Sequence, residues 1–98
     1  MAAALDTAAD GWTFLSNYAH AILYFAQHPD ARMREAAVAI GITERAVQRI
    51  VSELEAAGAL SVTRHGRRNR YELNRSFRLR HPLESHRTVG DLVALLGR

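Results

Sequence analysis

Arg45, Gln48, Arg49 and Ser52 recur at helical spacing. On a wheel of about 100° per residue they share one face, while Ala46, Val47, Ile50, Val51, Leu54 and Ala57 form the opposite stripe. Guanidinium and carboxamide groups held along a rigid helix can donate to phosphates or read base edges, arginine suiting guanine and glutamine suiting adenine in a major groove. A second cationic set follows at Arg64, Arg67, Arg68 and Arg70, interleaved with His65, Gly66 and Asn69. Both sets are suited to binding a polyanion. Any amphipathic surface helix can turn Arg and Gln outward for solubility alone, so the elements around these residues must decide.

Residues 34 to 57 read as two helices joined by a tight turn. Gly41 sits where the first must stop, because a residue without a Cβ takes the left-handed conformation that closes a helix C-terminus. Thr43 then caps the second, its hydroxyl accepting an otherwise unpaired N–H of the first turn. Ala37 is small enough for a close crossing, and Ile42, Val47 and Ile50 form the apolar wedge between the two helices. Gly58 supplies a second C-terminal cap.

Beyond Gly58 the period changes from 3.6 to 2, with Leu60 and Val62 alternating with Ser61 and Thr63, and Tyr71 and Leu73 alternating with Arg70 and Glu72. Between them, Gly66 and Asn69 are the residues able to take positive φ in a loop over 64–70. A basic β-hairpin is therefore expected directly downstream of the helix-turn-helix.

Upstream, a helix is expected from Thr13 or Ser16 to Gln27, with Leu15, Ala19, Ile22, Leu23 and Ala26 on one apolar edge and Tyr18 and Phe25 on another. Two edges imply two surfaces to cover, one of them suited to a second subunit. Pro29 ends this helix. Ala31 to Met33 is expected to form a very short strand before a helix over Arg34 to Ile40; alternatively, Asp30 caps a longer helix. Residues 74 to 87 contain Pro82 and little period, which predicts an extended surface path anchored by Phe77, Leu79 and Leu83. Thr88 and Asp91 resemble a capping box for a final short helix. Val89, Leu92, Val93, Leu95 and Leu96 make that helix apolar around most of its circumference, so it needs a partner. Residues 1 to 10 are Ala-rich and weakly patterned, and are expected to be an arm ahead of one domain over 11–98.

The 98 residues are 48% hydrophobic and 23% charged, a globular composition sized for one modest core. All thirteen cations are arginine, and the formal net charge is only +3. Its placement matters more: residues 61 to 80 hold seven arginines against Glu72 alone, a local field that favours polyanions. There is no cysteine, hence no disulfide, thiolate metal site or cysteine nucleophile. Ser16, Ser52, Ser61, Ser76 and Ser85 lack a nucleophile-elbow setting, and no phosphate-cradling glycine loop is present; an enzyme is not expected. The five histidines match no strong metal-ligand spacing, so no metal or cofactor is expected. Trp12, Tyr18 and Phe25 would suit a small-molecule pocket, although aromatics at this spacing are more often core. The longest apolar run, Tyr18 to Ala26, is interrupted by His20 and too short for a membrane span. The N-terminus carries two Asp and no basic start, so a cytoplasmic protein without a membrane partner is expected.

Ala37, Gly41-Ile42-Thr43, Val47, Ile50, Leu54, Gly58, Leu60 and the Gly66-Arg67-Arg68-Asn69-Arg70-Tyr71 tip together resemble a winged helix-turn-helix transcriptional regulator of the MarR-like or ArsR-like single-domain type. The resemblance covers roughly residues 13 to 74. It implies a mainly α fold with a small β-hairpin (α+β): a three-helix core, a wing and a C-terminal helix. It also implies double-stranded DNA as partner, with Arg45, Gln48, Arg49 and Ser52 in the major groove and Arg67, Arg68 and Arg70 on the backbone or minor groove. Thr43, Arg64 and Asn69 complete the candidate contact set. Such regulators are generally homodimers built through terminal helices, which implies an inverted-repeat operator, and a repressor answering a small-molecule effector fits the type. The chain departs from it in having no cysteine metal-sensing motif and no extra domain. An alternative is a winged-helix assembly module that binds protein instead of DNA.

Overall fold

The structure, a computed structural model, describes residues 11–97; the arm expected over residues 1–10, and Arg98, lie outside them. Among the described residues, four helices and one two-stranded antiparallel sheet follow in the order α1 (Asn17–Gln27), α2 (Met33–Ile40), α3 (Glu44–Ala57), β1 (Leu60–His65), β2 (Arg68–Leu73) and α4 (Val89–Leu96). This is the α+β architecture expected from the sequence: a three-helix core, a hairpin and a C-terminal helix.

Local chemistry sets each boundary. α1 buries Ala21, Ile22 and Phe25 and stops at His28, whose N–H still reaches Tyr24 O at 2.9 Å before Pro29 forbids another turn. At the start of α2 the Glu35 carboxylate accepts the Arg32 N–H at 2.7 Å, satisfying one of the unpaired donors of a helix N-terminus. The first residue of α2 is Met33, so neither a strand over Ala31 to Met33 nor a helix capped by Asp30 is formed. The segment makes one sheet-like contact instead: Pro29 O accepts the Tyr71 N–H at 2.9 Å. Gly41 closes α2 with φ 90° and an N–H to Ala37 O at 2.8 Å. Thr43 Oγ1 accepts the Ala46 N–H at 3.1 Å and opens α3.

The core is built where the helices cross the sheet. Phe25, Ala36, Ala37, Val47, Val51, Leu60 and Tyr71 form one buried cluster, in which the rings of Phe25 and Tyr71 lie 4.1 Å apart between centroids. Side chains three and four apart on α3 share a face, so Val47, Ile50 and Val51 are buried together, Val47 and Val51 within this cluster. Ala57, expected at the end of the stripe, is exposed, while Leu54 three residues earlier packs against the cluster.

The hairpin pairs Leu60 with Leu73 and Val62 with Tyr71 on its apolar face, and Thr63 with Arg70 and His65 with Arg68 on the other. Asn74 fastens its base, donating from its backbone N–H to Ala59 O and from Nδ2 to Gly58 O at 2.9 and 3.0 Å.

Residues 74 to 88 do not run extended. They fold back on themselves through an Arg78–Thr88 bridge, with Leu79 N–H to Arg87 O at 3.0 Å and Val89 N–H to Phe77 O at 2.8 Å. Phe77 and Leu79 are half-buried, but Leu83 lies at the outer bend and is 80% exposed, so it is no anchor. Thr88 and Asp91 exchange backbone-to-side-chain hydrogen bonds of 3.0 and 3.1 Å at the start of α4. α4 buries Val89 and packs on α1, leaving Leu95 78% exposed.

Candidate nucleic-acid interface

α3 presents Arg45, Gln48, Arg49 and Ser52 to solvent. Among the described residues none of the four is held by an ion pair. Their guanidinium, amide and hydroxyl groups stand along one face of a helix whose other face is locked in the core, so lost side-chain freedom is the main cost of using them. Thr43 is exposed too, but its oxygen is occupied by the Ala46 N–H, which leaves its hydroxyl proton to donate.

A contact absent from the sequence reading braces this helix. Tyr18 Oη on α1 donates to Glu53 Oε1 on α3. This hydrogen bond raises the Tyr18 phenol above its ordinary value, with desolvation and the Glu53 charge adding to the rise and the Arg49 charge opposing it. Glu53 follows Arg49 by one helical turn, so an acid stands at the edge of the polar face.

The hairpin turn is tighter than expected. His65 pairs with Arg68, leaving only Gly66 and Arg67 between the strands. Gly66 has φ 61°, and no non-glycine residue among those described has positive φ, the pattern of a two-residue turn with glycine first. Asn69 is therefore not a turn residue: it is half-buried in β2, opposite Arg64. Because side chains alternate along a strand, Arg64 lies in phase with the apolar face and Arg68 and Arg70 in phase with the other, while Arg67 occupies the tip.

Two of these arginines have partners within the chain. Arg70 Nη1 lies 3.0 and 3.1 Å from the two carboxylate oxygens of Asp30, and Arg68 Nη1 donates to Asp30 O at 3.3 Å. With the Tyr71 bond to Pro29, the outer edge of β2 is fastened to the α1–α2 connection at successive points. The sequence marks Asp30 only as an alternative helix cap and does not mark Glu53, because their partners lie 40 and 35 residues away, beyond any local spacing rule.

Elsewhere, an open groove of about 1040 Å³ runs between α1, the end of α3 and the 77–92 segment, lined among others by Phe14, Tyr18, Glu53, Phe77, His81 and Leu92. Of the three aromatics that would suit a small-molecule pocket, Phe25 belongs to the core, the commoner role at this spacing, and Tyr18 lines the groove. Trp12 and Phe14 pack edge-to-face on each other at 4.8 Å and are exposed. Among the described residues no three His, Cys, Asp or Glu side chains converge as a metal site, and no helix is long and apolar enough to cross a membrane.

A three-helix platform whose third helix leads within three residues into a two-stranded hairpin is a winged helix-turn-helix fold. Comparison with solved structures agrees: the chain is similar to the PcaV transcriptional regulator from Streptomyces coelicolor, solved in complex with its natural ligand, with TM-score 0.55 and 21% identity. The match covers 94% of this chain and 64% of that one, so this chain spans less than two thirds of PcaV's length. No family model and no curated protein matches the sequence.

Proposed function

We propose that the protein is a sequence-specific, double-stranded DNA-binding transcriptional regulator, a cytoplasmic homodimeric repressor. α3 enters the major groove and the wing lies along the flanking backbone or minor groove. The observation that carries this reading is the face of α3: two arginines, a glutamine and a serine, all exposed, on a helix fixed by Val47, Ile50 and Val51. In this reading Arg49 and Gln48 read base edges. Arg45, Ser52 and Thr43 position the helix on phosphates, as do Arg64, Arg67, Arg68 and Asn69 of the wing, with Arg70 beside them. Large apolar side chains are exposed at the two ends of the described chain, at Trp12, Phe14, Leu95 and Leu96, and singly at Val38 and Leu83, but none lies on the polar face of α3. That distribution favours a dimer built through the ends over an assembly module that uses α3. A two-fold dimer reads an inverted repeat with half-sites about one helical turn apart. The groove beside Tyr18 and Glu53 is where a small-molecule effector would act on α3, in keeping with the ligand-bound state of PcaV.

Selection from a random duplex library, followed by fluorescence anisotropy on the enriched sequence and a scrambled control, tests the reading. An enriched inverted repeat bound at least about 10³-fold tighter than the control is expected for specific recognition. Equal affinity for both refutes it.

A further inference from the structure

The four arginines of residues 64–70 are not equivalent. Arg67 sits on the two-residue turn, whereas Arg70 is neutralised by Asp30, a residue of the α1–α2 connection 40 positions earlier. The pairing uses one nitrogen, Nη1, for both carboxylate oxygens, not the two-nitrogen fork that makes arginine–carboxylate pairs strong. Both side chains are half-exposed, 47% and 58%, and exposed pairs of this kind contribute little to stability. The contacts that hold the wing in place are instead those accepted by backbone carbonyls, Tyr71 N–H to Pro29 O and Arg68 Nη1 to Asp30 O. The carboxylate of Asp30 is thus dispensable for the position of the wing, but it cancels the charge of one wing arginine.

We propose that the Asp30 carboxylate competes with DNA phosphates for Arg70 and so holds down the sequence-independent affinity of the wing. The inference rests on the DNA-binding reading. A guanidinium already neutralised within the chain gains little by approaching a phosphate, and it brings an anion with it. Freed, it releases one more counterion and steepens the dependence of log affinity on log salt by about 0.9 per wing. Restraint of this kind sharpens discrimination, since specificity is a difference between affinities and weakening the wrong complex raises it.

The test measures anisotropy of a random duplex across a salt series for the wild type, Asp30→Asn, Arg70→Met, the double variant and Arg67→Met. Asp30→Asn keeps the side-chain volume and both backbone contacts, Asp30→Ser serves as a second form, and circular dichroism checks the fold of each. Asp30→Asn is expected to steepen the slope by about 0.9 per wing and to bind several-fold tighter at about 0.1 M salt. The gain should disappear in the double variant, while Arg67→Met alone should flatten the slope by a similar amount. If Arg67→Met moves the slope and Asp30→Asn does not, or if the gain survives removal of Arg70, the competition is refuted while DNA binding stands. A wild type that binds no duplex at low salt overturns both.

Discussion

Gly41 sets the angle at which α3 leaves α2, and replacing it isolates one physical term. An added Cβ at this position would meet no heavy atom within 4 Å, so Gly41→Ala introduces no clash. What it introduces is conformational: the residue has φ 90°, and an L-residue in the left-handed region costs about 1–2 kcal/mol. Part of that is offset because alanine restricts the unfolded chain, worth about 0.4–1 kcal/mol. The net expectation is a loss of about 1 kcal/mol, which lowers the melting temperature of a domain this size by roughly 4–8 °C. Gly41→Asn should lose less, since asparagine tolerates this conformation better than alanine. Thermal and urea melts followed by circular dichroism measure both. An alanine variant as stable as the wild type, or an asparagine variant less stable than the alanine one, would show that the left-handed turn does not fix this junction.

Three further outcomes follow from the packing and the charges. Phe25→Ala removes a fully buried ring stacked on Tyr71 and should cost about 3–5 kcal/mol in urea unfolding; a loss below about 1 kcal/mol would mean that Phe25 is not central to the core. The phenol of Tyr18 is raised above 10.0 chiefly by its bond to Glu53, so the fold favours the neutral form. That contribution is fully present below about pH 10 and fades as pH rises through the raised value. Ultraviolet titration of the Glu53→Gln variant should show a tyrosine ionising at lower pH than in the wild type, and an unchanged curve would deny the contact. In the proposed dimer, Leu95→Glu on the exposed side of α4 should shift sedimentation to monomer without lowering the helix signal; an unchanged dimer would place the interface elsewhere, and a monomeric wild type would refute the dimer itself.

What was legible in the sequence was local. Gly41, Thr43 and Gly58 announce their roles by type and position, and the 3.6-residue stripe of α3 and the two-residue alternation of the strands mark the faces that turn inward; the register does not follow from them, because a two-residue turn at Gly66 and Arg67 replaces the loop expected over 64–70. Features that depend on distant partners were not legible. Arg70 looked like one more wing cation because nothing near it in sequence indicates Asp30, and Tyr18 looked like an apolar edge because its hydroxyl finds Glu53 only after α1 and α3 pack. Residue type places Asn69 in the turn, yet the tighter Gly66–Arg67 connection leaves it in a strand. Leu83 was expected to anchor an extended path, but the Arg78–Thr88 bridge closes that path into a loop with Leu83 at its outer bend.

In the proposed complex α3 reads bases and the wing grips the backbone of one duplex, and a paired salt titration separates the two roles. Arg49→Ala and Arg67→Ala are each measured on the selected sequence and on a scrambled control. Arg49→Ala is expected to lose about 1–3 kcal/mol on the selected sequence and much less on the control, relaxing specificity at one position. Arg67→Ala is expected to weaken both equally and to reduce the salt slope by about 1. If neither substitution changes the binding of either duplex at low salt, the account is contradicted.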